Sequence, residues 1–345
     1  MLKKLPLILI LLIPPQLYAA ESAVVFMYHR FGESAYPSTN ITLEQFDAQL
    51  DFLEENNYRV ISLSALVKAI QKKQTLPDRT VALTADDAYL SIYTEAYPRL
   101  KSRGWSMTIF VNTDPVDQKV AGYLNWEQMR EMKANGMAFS NHGSSHDNLR
   151  LKKKTESHAM WRERVVEEIE HAQKRLQEEL GKDTNSAARL FSYPYGEFNV
   201  KLSQLVSGLG YTAFGQQSGA IGYTSDTSNL PRFPIAEQFA SLKQFSVKAA
   251  ALPMPINRID PEESELGREN PPTLTLHFER PLVVSCFVGS GDPLEVVAKT
   301  DLSLTVRANR PIRIVRDRYN CTAPSLQQGR WYWYSHPWFN SGSAE

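Results

Sequence analysis

Asp86 and Asp87 stand side by side in Thr84-Ala85-Asp86-Asp87-Ala88-Tyr89, at the end of the apolar run Thr80-Val81-Ala82-Leu83. Neighbouring side chains on a strand point to opposite faces, but where the strand ends and the chain turns both can reach one site. One carboxylate can then hold a metal while the other stays free as a base; taken alone, the pair also fits a solvated turn. His142 and His146, in Asn141-His142-Gly143-Ser144-Ser145-His146-Asp147, follow a strand-like segment at 136–140. Four residues apart, they fall on one face of a helical turn, and neutral imidazole suits zinc and similar divalent ions. Asp87, His142 and His146 would supply three ligands and leave a coordination position open, as in a catalytic zinc site. Cobalt or nickel would suit the same donors.

A third segment, Leu190-Phe191-Ser192-Tyr193-Pro194-Tyr195-Gly196-Glu197, again follows a short strand. Its Pro and Gly fix a tight turn that can expose a backbone N–H and hold an aromatic wall over a pocket. With Thr-x-Asp-Asp-x-Tyr, Asn-His-x3-His and Tyr-Pro-Tyr-Gly in this order, residues 24–250 resemble the polysaccharide deacetylases of the NodB-homology, carbohydrate esterase family 4 type. The resemblance implies a distorted (β/α)7 barrel, with Asp86 as general base and a metal on Asp87, His142 and His146. It further implies an oxyanion contact from the Tyr195 backbone N–H and substrate contacts from Tyr89, Tyr193 and Tyr195. Departures occur. The family usually has Phe and Gly where this chain has Ala85 and Ala88, and many members carry at Ser192 an Arg that steers the base. Arg232, in Leu230-Pro231-Arg232-Phe233-Pro234, is the substitute, with a purely structural arginine as the alternative. No histidine lies between 172 and 276 to supply the usual late acid. His29, ending Val25-Phe26-Met27-Tyr28-His29, fills that role in the resembling circularly permuted subgroup, which includes deacetylases of poly-N-acetylglucosamine.

Other elements must position these residues. From residue 23 strand-like and helix-like stretches alternate: helices are expected over 42–56, 63–71, 91–103, 126–135, 156–180 and 200–209, between strands at 24–29, 80–83, 106–112, 137–140, 188–192 and 212–215, with a later one at 232–236. Repeated strand-helix units suggest a parallel sheet covered by helices. Motifs after successive strands favour a barrel with its site at the C-terminal strand ends. Loops at 113–124 and 215–230 are where substrate specificity is expected.

Residues 1–20 read as a secretory signal: Lys3 and Lys4, an apolar stretch over 5–13, and the small-residue exit Ala19-Ala20. The apolar stretch is shorter than the about 20 residues of a membrane span, so the expected product is periplasmic or secreted, with no stable membrane insertion. The 38 basic and 38 acidic residues of the 345-residue chain cancel, leaving no field for nucleic acid or anionic membrane. An acetylated polysaccharide, neutral or turning cationic as it is deacetylated, would not be repelled.

The composition changes near residue 250. Prolines and acidic residues over 251–272 read as a linker between a catalytic domain at 21–250 and a small β domain at 273–345. Short alternating runs at 273–278, 282–288, 294–298, 302–308, 312–316 and 330–334 read as its strands. The two cysteines, Cys286 and Cys321, both fall here, and in an oxidising compartment would close a disulfide, free buried thiols being the alternative. Trp331, Tyr332, Trp333, Tyr334, Trp338 and Phe339 crowd the C-terminus; they could stack on sugars, but on a strand half of them must face a core. The activity expected is metal-assisted hydrolysis of N-acetyl groups from a GlcNAc-containing glycan. O-acetyl ester hydrolysis and an inactive glycan-binding protein are the alternatives.

Overall fold

Residues Ser22–Tyr28 and Thr80–Asp86 are runs of mostly apolar residues, buried at nearly every position. Burial on both faces is the signature of parallel strands sandwiched between helices or closed into a barrel. In the computed structural model, which describes residues 19–181 and 189–341, these two strands (β1 and β2) pair in parallel. β2 is followed across the sheet by β3 (Met107–Val111), β4 (Ala138–Asn141), β5 (Arg189–Ser192) and β6 (Tyr211–Phe214). The sheet curls. On the free side of β1 lie an antiparallel pair, Ile221–Gly222, and a parallel seventh strand, β7 (Phe233–Pro234). A parallel bridge between Phe214 and Leu230 brings this closing segment against β6. The expected barrel is thus present, its last stave reduced to two residues. The segment expected as a signal lies outside the described residues except for Ala19–Ala20, which pair with Leu76–Pro77.

Among the described residues, the helices covering the sheet include α1 (Leu43–Glu55), α2 (Leu63–Gln71), α3 (Tyr97–Ser102), α4 (Trp126–Ala134), α5 (His158–Leu180), α6 (Val200–Gly208) and α7 (Leu242–Ala249), whose Phe245 stacks on Phe26 of β1. Their starts follow local chemistry. Thr42 and Gln45 form a reciprocal capping box, as do Asn125 and Gln128, and Ser157 caps α5. The single helix expected over 91–103 instead begins as a π-helical turn, Ile92–Ala96, in which Tyr97 N–H reaches back to Ile92. Pro98 has no N–H for the carbonyl four residues back, which favours the wider turn there.

Beyond the barrel, two four-stranded sheets pack face to face. One joins Leu252–Pro253, Trp331–Phe339, Arg316–Pro324 and Ser285–Val288; the other joins Ile256–Asp260, Thr273–Phe278, Ser303–Arg307 and Glu295–Lys299. Leu274, Leu276, Leu304 and Val306 from one sheet meet Tyr319, Cys321, Ala323 and Trp338 from the other. Two expectations are corrected here. Leu252–Pro253 and Ile256–Asp260, expected within a linker, are strands of this sandwich. The strand expected over 312–316 is displaced to Arg316–Pro324, whose charged and polar residues alternate with buried Tyr319, Cys321 and Ala323. The inward face alone carries the strand signal.

Cys286 and Cys321 sit directly opposite each other on adjacent antiparallel strands and are disulfide-bonded. The closed loop of 35 residues restricts the unfolded chain, an effect worth about 2–4 kcal/mol. The double variant Cys286→Ser, Cys321→Ser should therefore lose about 2–4 kcal/mol of unfolding free energy and unfold at lower urea concentration. An unchanged midpoint by tryptophan fluorescence would contradict this.

Candidate active site

The C-terminal ends of three neighbouring strands assemble the site. β3 ends between β2 and β4, and its last two carbonyls hold both flanking chains: Asp87 N–H donates to Phe110 O at 3.1 Å and His142 N–H to Val111 O at 3.0 Å. Asp87 and Ala88 then turn with φ of 73° and 53°, the left-handed region that costs a non-glycine residue roughly 1–2 kcal/mol. That turn directs Asp86 and Asp87 to different partners.

Asp86 is completely buried and faces Arg232, also completely buried, in a two-pronged ion pair: Nη1 to Oδ1 at 2.7 Å and Nη2 to Oδ2 at 2.8 Å. The guanidinium is fixed further by Nε donating to Gly215 O at 3.0 Å and Nη1 to Thr84 Oγ1 at 3.3 Å. Ser192 completes the set, its hydroxyl accepting from Arg232 Nη2 at 2.7 Å and donating to Asp86 Oδ2 at 3.1 Å. Burial acts most strongly on Asp86 and would raise its pKa. The positive charge of Arg232, with His142 and His29, outweighs it and holds the carboxyl below the usual range.

Asp87 turns the other way. Its Oδ1 lies 3.3 Å from His142 Nε2 and 3.2 Å from His146 Nε2, and one donor atom from each of the three residues falls within 4.8 Å of the others. His142 Nδ1 is 2.7 Å from the Ser192 carbonyl. The carbonyl can only accept, so Nδ1 carries the proton and Nε2 offers a lone pair toward Asp87. Yet, among the described residues, Asp87 Oδ1 and His142 Nε2 are buried without a hydrogen-bond partner. Two orphaned acceptors and a second imidazole converging on one point form the donor set a divalent cation takes. These residues fit a metal.

The two histidines do not lie on a helical turn, as their spacing suggested. Residues 142–148 form a loop, with Gly143 and His146 at φ of 77° and 65°. Glu168 on α5 clamps that loop, accepting from the backbone N–H and hydroxyl of both Ser144 and Ser145 at 2.6–2.9 Å. A side chain at Gly143 would press on Glu168 Oε1, 3.2 Å from an added Cβ. Glu168 escapes a motif search. Its signal is its register, three residues after Val165 and seven after Trp161 on the buried stripe of α5.

Tyr195, at φ 61° and 40% exposed, sets its ring edge-on to His146 at 4.4 Å. Tyr193 is corrected. It is fully buried among Phe191 and Phe198, its hydroxyl donates to Ser228 O at 2.8 Å, and it does not reach the cleft. Tyr89 is half-buried at the mouth, its ring 3.4 Å beneath the Arg30 guanidinium and 5.1 Å from the Tyr123 ring. His29 follows β1 directly. Burial lowers its pKa against the opposing pull of the Asp87 and Asp86 charges. Of the other histidines, His158 stacks on Trp161, His277 meets Arg258, and His336 packs on Trp338.

A curled parallel sheet with an Asp-Asp, His-His and Tyr-Pro-Tyr-Gly site at its strand ends defines the class, and this chain carries a polysaccharide deacetylase domain of the NodB, carbohydrate esterase family 4 type. The polysaccharide deacetylase family model matches residues 73–214. The chain is 25% identical over 232 residues to the poly-beta-1,6-N-acetyl-D-glucosamine N-deacetylase of Escherichia coli (strain K12), covering 57% of this chain but 34% of that protein. The chain thus spans about a third of the length of that relative. To the enzyme of the same name from Staphylococcus aureus (strain MRSA252) it is 24% identical over 242 residues, 64% of this chain and 81% of that one. The solved structure of IcaB from Ammonifex degensii superposes with a TM-score of 0.57 at 25% identity, over 67% of this chain and 97% of that chain.

The donor set makes a direct prediction. Protein purified with zinc should hold about one equivalent, and His142→Ala should lose most of it, because removing one of three ligands leaves a weak pair. Undiminished metal by mass spectrometry in an Asp87→Ala, His142→Ala double variant would refute these ligands.

Proposed function

We propose that this protein hydrolyses N-acetyl groups from a GlcNAc-containing polysaccharide, of the poly-β-1,6-N-acetylglucosamine kind that its relatives are named for, releasing acetate and leaving free amines. The observation that carries this reading is the division of labour between adjacent carboxylates. Asp86 is held ionised by a buried arginine and kept away from the metal donors; Asp87 belongs to them. A divalent ion on Asp87, His142 and His146 would act as a Lewis acid, acidifying water and drawing charge from an acyl carbonyl. The disulfide fits an exported protein, in keeping with a periplasmic or secreted location, and among the described residues no helix is long and apolar enough to cross a membrane.

The chain's own residues have separate tasks in that reaction. Asp86 accepts the proton of the attacking water, in the geometry that Arg232 and Ser192 impose. The Tyr195 backbone N–H faces the oxyanion of the tetrahedral intermediate. His29, arriving from the first strand, gives a proton in its imidazolium form to the departing nitrogen. Asp86 then holds the proton taken from water and His29 has lost one to the amine, and exchange of both groups with solvent restores them and closes the balance. Tyr89 and Tyr195 border the cleft as walls for the sugar.

Asp86→Asn should keep its metal, at a cost in stability because Arg232 is left buried without its counter-ion, and in the folded, metal-loaded protein should release amine from an acetylated glucosamine oligosaccharide about 100- to 10,000-fold more slowly, the usual loss when a general base is removed. Acetate from O-acetylated glycans, with no amine from the N-acetylated oligomer, would instead identify an ester hydrolase. His29→Ala should slow amide hydrolysis far more than hydrolysis of an activated ester, whose leaving group needs no proton, with metal content unchanged. Equal losses on both substrates would return His29 to a structural role.

A further inference from the structure

The Tyr195 turn does not hold its shape by itself. Tyr195 sits in the left-handed region at φ 61°, a conformation that costs a tyrosine roughly 1–2 kcal/mol and persists only where its surroundings enforce it. Part of that enforcement is local: Gly196 N–H donates to Tyr193 O at 2.8 Å, and the Gly196 backbone lies so close to Gln216 that an added Cβ would meet its Cγ at 2.4 Å. The rest comes from outside the barrel. Arg316, at the start of a strand of the β sandwich, donates from Nη1 to Tyr195 O at 3.2 Å and carries its guanidinium 5.6 Å from the Tyr195 ring centre.

The same residue grips the next part of the turn. Arg316 Nε lies 3.6 Å from Glu197 Oε1. The other oxygen of Glu197 accepts from Asn148 at 2.7 Å and from Arg150 Nη2 at 2.9 Å, both just beyond His146 in the chain. Arg150 is buried and donates onward to Ser341 Oγ at 2.6 Å and Glu265 Oε1 at 3.3 Å. Two loops of the candidate active site, one bearing His146 and one bearing Tyr195, therefore meet at Glu197, and residues from beyond the barrel hold that junction from outside.

We propose that Arg316 is a positioning residue of the active site, through which the C-terminal β sandwich fixes the Tyr195 peptide and ring over the reacting centre. This rests on the deacetylase reading for the role of Tyr195. It makes the sandwich a working part of the catalytic unit, not an independent sugar-binding module. Arg316 acts by its grip on a carbonyl, so the effect falls on the reaction step more than on substrate capture. Its side chain is half-exposed, at 49%, and its removal leaves no buried charge comparable to Asp86 without Arg232.

The test compares full-length Arg316→Ala and Arg316→Lys with the unaltered protein, using an acetylated glucosamine oligosaccharide and hydrogen exchange of the peptide spanning 193–197 by mass spectrometry. Arg316→Ala should lower kcat by on the order of 10- to 100-fold, below the full loss of an oxyanion donor, with KM within about threefold, and should speed exchange in 193–197. Metal content and melting temperature should stay those of the parent. Arg316→Lys, which keeps one donor for the carbonyl, should recover part of kcat. Unchanged kcat in Arg316→Ala, or a fall wholly in KM, would overturn the proposal, as would unchanged exchange. Exchange needs no substrate. If the unaltered protein released no amine, the deacetylase reading would fall, while exchange in 193–197 would still decide whether Arg316 holds the turn.

Discussion

At the centre of the barrel a carboxylate and a guanidinium, Asp86 and Arg232, are both fully withdrawn from water. Each ion alone would cost several kcal/mol to bury, and the pair is tolerable only because its geometry is two-pronged and its remaining hydrogen-bonding capacity is met. Gly215 O, Thr84 Oγ1 and Ser192 Oγ meet it. Those three groups come from β2, from the end of β5 and from the residue after β6, while Arg232 itself enters on the closing segment. The ion pair therefore ties together strands that are distant in sequence, and a slip of any of them would strand a charge in the core. Ser192 reaches furthest. Its hydroxyl serves the Asp86 side and its carbonyl sets the tautomer of His142 on the metal side, so one residue aligns the base with the ligands.

Around this fixed centre the site stores conformational strain. Asp87, Ala88, His146 and Tyr195 are non-glycine residues at positive φ, and all lie at the mouth formed by the strand ends. Such residues cluster where the surrounding structure over-determines the backbone. Here the determinants can be named: the β3 carbonyls for Asp87 and His142, the Glu168 clamp on the loop leading to His146, and the Arg316 grip at Tyr195. Family relatives usually place glycine at position 88. The alanine here accepts the same turn at a steric cost while its methyl is buried, so the chain carries the departure without abandoning the geometry.

The sandwich closes the side of the barrel that the sheet leaves thin. Trp333 sets its ring edge-on to Phe233 of the two-residue seventh strand at 5.2 Å, and Phe339 meets Phe198 at 5.7 Å. The C-terminal aromatic cluster divides accordingly. Tyr332, Trp338 and Phe339 are buried, whereas Trp331 remains substantially exposed. The two-residue last stave is thus covered from the sandwich side by Trp333, while the helix that follows it, Leu242–Ala249, stacks Phe245 on Phe26 of β1.

Much of the fold was legible because its signals are local. Apolar runs marked β1 and β2, alternating strand-like and helix-like stretches marked most of the barrel's elements, and the disulfide followed from two cysteines in one small domain. The chemical types at the site were legible too, since Asp86, Asp87, His142 and His146 stand in short segments at strand ends. Where a signal depended on direction or on a remote partner, the sequence stopped short. The histidine pair has helical spacing but sits on a loop because Glu168, 22 or more residues further along, holds that loop open. Tyr193 and Tyr195 flank one proline, yet one enters the core and the other the cleft, because the left-handed turn at Tyr195 reverses the chain between them. Arg232 lies 146 residues from Asp86 and Arg316 lies 121 from Tyr195. The sequence by itself determined the periodicities, the caps and the kinds of side chain available for chemistry. Tertiary packing alone decided which charge meets which, because the energy of a buried ion pair depends on distance and desolvation in space and leaves no mark in the order of residues.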